Sequence, residues 1–115
     1  MTIEDKFSKL PTLRNVGFAL LDFVRSLDSK GEFIERDTDW IFEPSKFAAF
    51  GFPKRAPEQI RLQFRQPIPT YITKQDEAML CLYDGRWHHY KCLIESPRQL
   101  ACAAKYIELA YLHPA

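Results

Sequence analysis

The chain has 115 residues, with 16 Lys and Arg against 15 Asp and Glu, and 46% of its residues are hydrophobic. This length is typical of one domain, and this composition is that of a globular protein and argues against a disordered chain. The net charge of +1 neither requires nor excludes a nucleic-acid partner. We therefore expect one domain over residues 1–115.

The N-terminal part of the chain predicts one helix. Residues 1–11 carry no apolar run, so we expect a loosely ordered segment there and no signal peptide. From about Leu13 to Leu27, apolar residues recur at steps of three and four, which predicts an α-helix with one apolar face. Thr12 is the expected N-cap of this helix, and Gly31 is its expected stop.

The middle of the chain predicts β-structure. Strands are expected at Phe33-Ile34, Trp40-Ile41-Phe42, Phe47 to Phe52 and Ile60 to Phe64. The last of these alternates apolar and polar residues, so one of its faces should lie on a core and the other should face water. A loop is expected over residues 53–57, because its two prolines cannot donate hydrogen bonds to a sheet.

The C-terminal part predicts a hairpin and a second helix. The hairpin should pair Ala78 to Tyr83 with His88 to Ile94 around a turn at Asp84-Gly85. The helix should begin at Ser96-Pro97-Arg98-Gln99, where Ser is the N-cap and Gln completes a capping box. Its expected apolar stripe consists of Leu100, Ala103, Ala104, Ile107 and Tyr111.

This order of elements predicts an α+β fold: an antiparallel sheet of four to six strands, with an N-terminal and a C-terminal helix packed on one face. Three segments carry a resemblance to known proteins. They are the helical run Leu21 to Leu27, the aromatic strand Ser45 to Phe50, and the final strand and helix from Cys92 to Tyr111. With these segments the chain resembles a family of short bacterial domains of unknown function. The resemblance implies a helix, an antiparallel sheet and a C-terminal helix ending Ile-x-x-Ala-Tyr, and it implies no activity.

Cysteine usage indicates the compartment. Cys81, Cys92 and Cys102 are odd in number, lack C-x-x-C spacing and lie in apolar stretches. We expect free, buried thiols in a reducing compartment, which predicts a cytoplasmic protein; the alternatives are a disulfide or a reactive thiol. No stretch approaches the length of apolar chain that crosses a bilayer, so no membrane association is expected.

The predicted hairpin is the first candidate site. Arg86 and Lys91 could contact phosphate while Trp87 stacks on a base. The alternative is that both cations are solvated and that Trp87 covers an edge of the core. His88 and Cys92 would share a strand face, but no second pair of ligands completes a metal site, so no metal is predicted.

The second candidate site is the polar face of the strand Ile60 to Phe64. Arg61 and Arg65 project to the same side as Gln63 and could follow a phosphate backbone, or they could be ordinary solvated residues. Nearby, Phe47, Phe50 and Phe52 could stack on bases or lie in the core.

Catalysis has little support in the sequence, which has no G-x-S-x-G motif and no Gly-rich phosphate loop. Asp37, Asp39 and Glu43 could bind a hard cation, or they could form a solvated turn. No catalytic residue, cofactor or small-molecule ligand is predicted.

Three functional hypotheses result. The first is a non-catalytic binding module for a protein partner or for self-association, which the sequence favours over nucleic acid. The second is a nucleic-acid-contacting domain, and the third is a small metal-dependent hydrolase. The predicted surface residues for a partner or nucleic acid are Arg61, Arg65, Arg86, Trp87, His88 and Lys91.

Overall fold

The computed structural model describes residues 1–55, 57–85 and 88–115, in which the chain forms four α-helices and six β-strands. The helices are α1 (Ile3–Ser8), α2 (Arg14–Leu27), α3 (Lys74–Leu80) and α4 (Leu100–Leu112). The strands are β1 (Glu32–Arg36), β2 (Asp39–Glu43), β3 (Ala48–Gly51), β4 (Ile60–Arg65), β5 (Tyr83–Asp84) and β6 (His89–Ile94). Short 3₁₀ turns, Pro69–Tyr71 and Pro97–Gln99, precede α3 and α4.

The six strands form one antiparallel sheet in the order β1-β2-β3-β4-β6-β5. Its register places two rows of side chains across the central strands. Trp40, Phe50, Leu62 and Cys92 make one row, and Ile41, Ala49, Gln63 and Lys91 make the next. Because neighbouring residues of a strand point to opposite faces, the first row defines an inner face and the second an outer face.

The helices pack on the inner face. Phe7 of α1 meets Phe50 edge-on at 5.4 Å between ring centroids, and Tyr106 of α4 stacks on Phe64 at 5.9 Å. All four rings are fully buried, and burying one such side chain contributes about 1.5–3 kcal/mol. The predicted α+β fold, with its terminal helices on one face of an antiparallel sheet, is confirmed.

The N-terminal segment differs from the prediction. Residues 3–8 form α1 where a loosely ordered segment was expected. The Thr2 hydroxyl accepts a hydrogen bond from the Asp5 amide at 3.2 Å, and the Asp5 carboxylate accepts one from the Thr2 amide at 2.8 Å. This capping box begins a helix whose Ile3 and Phe7 side chains are buried in the core.

The predicted N-cap of the second helix is wrong. The helix, α2, begins at Arg14, and the two backbone amides just before it are satisfied from far along the chain. The Glu58 carboxylate accepts hydrogen bonds from the Thr12 amide at 3.1 Å and from the Leu13 amide at 2.5 Å. A carboxylate is favourable at the positive end of the helix dipole. The helix ends at Leu27, four residues before the predicted stop at Gly31.

The first arm of the predicted hairpin is also wrong. Residues 74–80 form α3, because the Thr73 hydroxyl accepts a hydrogen bond from the Asp76 amide at 3.1 Å and so caps a helix. The helix ends at Cys81, which adopts the left-handed conformation with φ of 53°. Of the predicted first arm, Tyr83 alone pairs with β6, joined by Asp84 of the predicted turn. The second arm, β6, is a strand as the sequence predicted.

The predicted capping box before α4 is confirmed, and its glutamine also connects three segments. Gln99 is 8% exposed, and its side-chain oxygen accepts hydrogen bonds from the amides of Glu95 at 2.7 Å and Ser96 at 3.1 Å. Its side-chain nitrogen donates to the carbonyls of Met79 at 3.1 Å and Leu93 at 3.4 Å. Gln99 therefore joins α3 and β6 to the start of α4.

Candidate binding surface on the open face of the sheet

We call the outer face of the sheet the open face, because its side chains remain partly exposed while the helices cover the other side. Its central members are Arg36, Asp39, Ile41, Glu43, Ala49, Arg61, Gln63, Arg65, His89, Lys91 and Leu93. Three of the predicted surface residues, Arg61, Arg65 and Lys91, lie on it. Strand alternation in the sequence predicted a common side for Arg61 and Arg65, and the pairing of β4 with β6 adds Lys91 to it.

Arg61 forms an ion pair that the sequence did not reveal. Its guanidinium donates to one oxygen of Asp39, and the Gln63 amide donates to the other. The two charged side chains are 24% and 14% exposed, so the pair is mostly shielded from water. Gly51 lies between them in the sheet, where a Cβ atom would stand only 2.4 Å from the Arg61 Nη2 atom. The charge of Arg61 is therefore neutralised inside the molecule.

Arg65 also has internal partners. Its Nε and Nη2 atoms donate to the carbonyl of Ala110 at 3.2 and 3.1 Å, and its Nη1 atom lies 3.4 Å from the carbonyl of Ser45. Ala110 lies in the last turn of α4, where a cation is favourable because the helix dipole is negative there. Arg65 therefore joins the end of α4 to the connection between β2 and β3.

The other predicted surface residues are not all brought together. Lys91 is half-buried, opposite Gln63 in the register. His88 is exposed just before β6 with φ of 57°, and its carbonyl accepts a hydrogen bond from the Gln66 amide at 2.8 Å. Arg86 and Trp87 lie outside the described residues.

A hollow of about 510 Å³ opens on this face. Ile41 and Ala49, neighbours in the register, form its apolar floor. One wall is the ion pair of Arg36 and Glu43, whose Nη2 and Oε2 atoms are 3.2 Å apart. Arg65 belongs to the opposite wall.

The wall that contains Arg65 also includes Gln63 and His89, and Ser45 and Lys46 close one end of the hollow. A His89 ring nitrogen lies 2.9 Å from the Lys46 carbonyl, which holds this end against β6. The Ser45 hydroxyl is buried and has no hydrogen-bond partner among the described residues. Sequence reasoning missed most of these residues, since β1, β2 and the β2–β3 connection gave no signal that their side chains would meet β4.

The aromatic residues proposed as stacking platforms lie in the core. Phe47 and Phe50 are fully buried. Phe52 packs against Phe7 with ring centroids 4.9 Å apart. Phe47 and Phe50 therefore have no face available to a nucleic-acid base, and Phe52 is half-buried against the core. Of the open-face aromatic residues in the described part of the chain, Tyr83 is the well-exposed one, at 46%.

A polar cluster between α3 and α4 is internal to the fold. The Asp76 carboxylate accepts hydrogen bonds from the Lys105 ammonium at 2.8 Å and the Tyr106 hydroxyl at 2.7 Å. Both partners favour the charged carboxylate, with Lys105 the larger influence, so the pKa of Asp76 lies well below its ordinary value. Burial and the hydrogen bond to Asp76 raise the pKa of Tyr106. The cluster joins the two helices and lies apart from the hollow.

The three cysteines differ in environment, and all are free thiols. Cys92 is buried, which raises its pKa to about 12. Cys102 is half-buried beside Asp76, and burial followed by that hydrogen bond raises its pKa to about 11. The prediction of a buried thiol is wrong for Cys81, which is exposed because it ends α3.

The described residues contain no group of three or more His, Cys, Asp and Glu side chains that could hold a metal ion. Of the three acidic residues considered for a cation, Asp39 is paired with Arg61 and Glu43 with Arg36. Within the described ranges, no helix is long and apolar enough to cross a bilayer.

In comparisons with known proteins, the chain matches no family model, no curated protein and no solved structure.

Proposed function

We propose that the chain is a non-catalytic binding module that presents its open face to a protein partner. The observation that carries this proposal is the hollow, an apolar floor between walls that bear both signs of charge. Protein interfaces combine an apolar centre with a polar rim, and oppositely charged groups across the contact set its orientation. A surface with both signs of charge suits a protein partner, whose own surface carries both signs.

The ion pairs of the open face support this function by fixing long side chains before a partner arrives. Arg36 is paired with Glu43, and Arg61 is paired with Asp39 and supported by Gln63. Ordering such side chains during association costs about 0.5–1.5 kcal/mol each. Because these pairs exist in the free protein, part of that cost is met during folding.

The proposal includes a cytoplasmic location, which the three free thiols support. It also retains the resemblance to short bacterial domains of unknown function as a proposal that the sequence alone supports.

Nucleic-acid contact is the alternative function. In its favour, Arg61, Arg65 and Lys91 share the open face on adjacent strands. Against it, Arg61 is neutralised by Asp39. We found no observation among the described residues that favours the metal-dependent hydrolase.

Site-specific photo-crosslinking in the source cells tests the proposal. A small aliphatic amino acid that carries a photoreactive diazirine replaces Ile41 on the open face without filling the hollow, and a matched control replaces Asp22 on the exposed side of α2. We expect a cross-linked protein from position 41 and none from position 22. The cross-linked protein is then purified and its affinity for this chain is measured. The affinity should fall at least about tenfold when Ile41→Glu places a charge on the floor of the hollow.

Two results would overturn the proposal. They are equal cross-linking from both positions, and an affinity between the two purified proteins that Ile41→Glu leaves unchanged. A cross-link only to a second copy of the chain would replace the partner protein with self-association. For the nucleic-acid alternative, fluorescence anisotropy with a single-stranded oligonucleotide should detect no binding. Binding that weakens by about one log unit per log unit of salt for each phosphate contacted would favour that alternative.

A further inference from the structure

The hollow has a specific chemical character. Among the described residues that line it, three side chains are cationic, Arg36, Lys46 and Arg65, and one is a carboxylate, Glu43. Glu43 is shared by two of the cations, at 3.2 Å from Arg36 and 3.6 Å from Lys46. Positive charge therefore exceeds negative charge in the hollow, which favours an anionic occupant.

Arg65 has donor capacity left for such an occupant. A guanidinium has five N–H groups, and the hydrogen bonds to Ala110 and Ser45 engage its Nε, Nη1 and Nη2 atoms once each. The second N–H groups of Nη1 and Nη2 have no partner in the part of the chain that the structure describes. Because the carbonyls already fix the guanidinium in place, these donors are pre-oriented.

The Ser45 hydroxyl is a second, independent observation at the same end of the hollow. It is buried without a hydrogen-bond partner among the described residues, which is unfavourable because burial has removed its hydrogen bonds to water. Rotation of its side chain would let it donate to an acceptor in the hollow. An occupant that brings an acceptor oxygen would therefore satisfy this group.

We propose that the hollow receives an acidic side chain of the protein partner. Its carboxylate lies between Arg65 and Lys46 and accepts from Ser45, and its methylene groups lie on Ile41 and Ala49. A flat carboxylate matches the paired N–H groups of a guanidinium. Phosphate, which a guanidinium also binds through two N–H groups, is the competing anion that the titration below separates from a carboxylate. The volume of about 510 Å³ lies within the usual range for binding pockets. This assignment rests on the proposed binding function and names the chemistry that the partner presents.

Titration with short peptides, followed by amide NMR shifts, tests the assignment. The probes are N-acetyl-Leu-Glu-Leu-amide, the same peptide with Gln in place of Glu, and inorganic phosphate. We expect the Glu peptide to produce saturable shifts at Ala49, Gln63 and His89, and the Gln peptide to bind at least about tenfold more weakly.

Two variants complete the test. Lys46→Gln removes a cation at the end of the hollow and should weaken the Glu peptide about threefold or more. Lys30→Gln, at an exposed lysine in the connection before β1, is the matched control and should leave binding unchanged. Ala49→Leu fills the floor and should abolish binding while its far-UV circular dichroism stays that of the wild type.

Three results would overturn the assignment. They are the absence of saturable shifts up to about 20 mM Glu peptide, equal binding of the Glu and Gln peptides, and tighter binding of phosphate with the same shifts. If a partner still cross-links at position 41 while the Glu peptide fails to bind, the acidic occupant is wrong and the binding function stands. If cross-linking fails as well, both proposals are wrong.

Discussion

The contact between α1 and α2 gives the sharpest test of the fold, because it depends on the absence of one methyl group. A Cβ atom at Gly17 would stand 2.2 Å from Cδ1 of Phe7 and 2.6 Å from its Cε1. Carbon atoms in contact normally lie about 3.5–4.0 Å apart. The Phe7 ring cannot retreat easily, since it packs against Phe50 at 5.4 Å and Phe52 at 4.9 Å.

The expected cost of Gly17→Ala follows from these distances. At an exposed helix position the same change would stabilise the protein by about 1 kcal/mol through helix propensity. Here overpacking costs about 1–3 kcal/mol if the ring shifts. Expelling the ring loses a buried Phe, at about 3–5 kcal/mol. We expect a net loss of about 2 kcal/mol in the free energy of unfolding.

Urea unfolding, followed by far-UV circular dichroism, measures this loss in a double-mutant cycle with Phe7→Ala. Phe7→Ala alone should cost about 3–5 kcal/mol. With the ring removed, the new methyl group at position 17 enters the cavity, so the double variant should cost less than the sum by about 1 kcal/mol or more. Asn15→Ala, on the exposed side of α2, is the control and should stay within about 0.5 kcal/mol of wild type. A stabilising Gly17→Ala, or strictly additive costs, would show that α1 does not pack as described.

Three further predictions concern polar contacts. Asp76→Asn should cost about 1–2 kcal/mol near pH 7, because the Tyr106 hydroxyl then donates to a neutral amide oxygen. Since folding lowers the pKa of this aspartate, its contribution is present above about pH 4 and is lost as the pH falls further; urea titrations should show the difference between variant and wild type shrinking at about pH 3. Gln99→Leu should cost about 2–3 kcal/mol in the same assay, because it leaves four backbone groups without their partner. Arg61→Met should cost about 2 kcal/mol by leaving the largely buried Asp39 without its counter-ion, and adding Asp39→Asn should recover part of the loss.

Elements whose signals lie within a few residues were predictable from the sequence. The capping box at Ser96 and Gln99 is local, and it marks the start of the C-terminal helix in both the sequence and the structure. Strict alternation in β4 gave the correct inner and outer faces. In α4 the predicted stripe was incomplete, because Tyr106 and Ala110 are also buried where α4 meets the sheet and α2.

Elements that depend on distant contacts were missed for a physical reason. A six-residue helix such as α1 is not stable alone, and its order comes from burying Phe7 against residues more than forty positions away. The cap of α2 comes from Glu58, which no local window around Thr12 contains. For residues 78–80, a short apolar run did not distinguish a strand from a helix. The N-cap at Thr73 begins α3, and these residues are its last turn.

In the candidate site, too, local sequence signals predicted some features and long-range contacts determined the others. Alternation placed Arg61 and Arg65 on one face, but it could not show that Asp39 and the Ala110 carbonyl would engage them. Those partners depend on strand register and on where α4 ends. The hollow depends on the same long-range register, which brings Ile41 and Ala49 together beneath Arg65.

The strand order has a consequence for how the chain emerges during synthesis. β1 to β4 are neighbours in the sheet in chain order, so each can pair as soon as it has left the ribosome. Phe64, however, is covered by Tyr106, which is made some forty residues later. At a synthesis rate of about 5–20 residues per second, the apolar surface of the Phe64 ring remains uncovered for seconds. The nascent chain is therefore most prone to aggregation in the interval between completing β4 and completing α4, when a chaperone would protect it best.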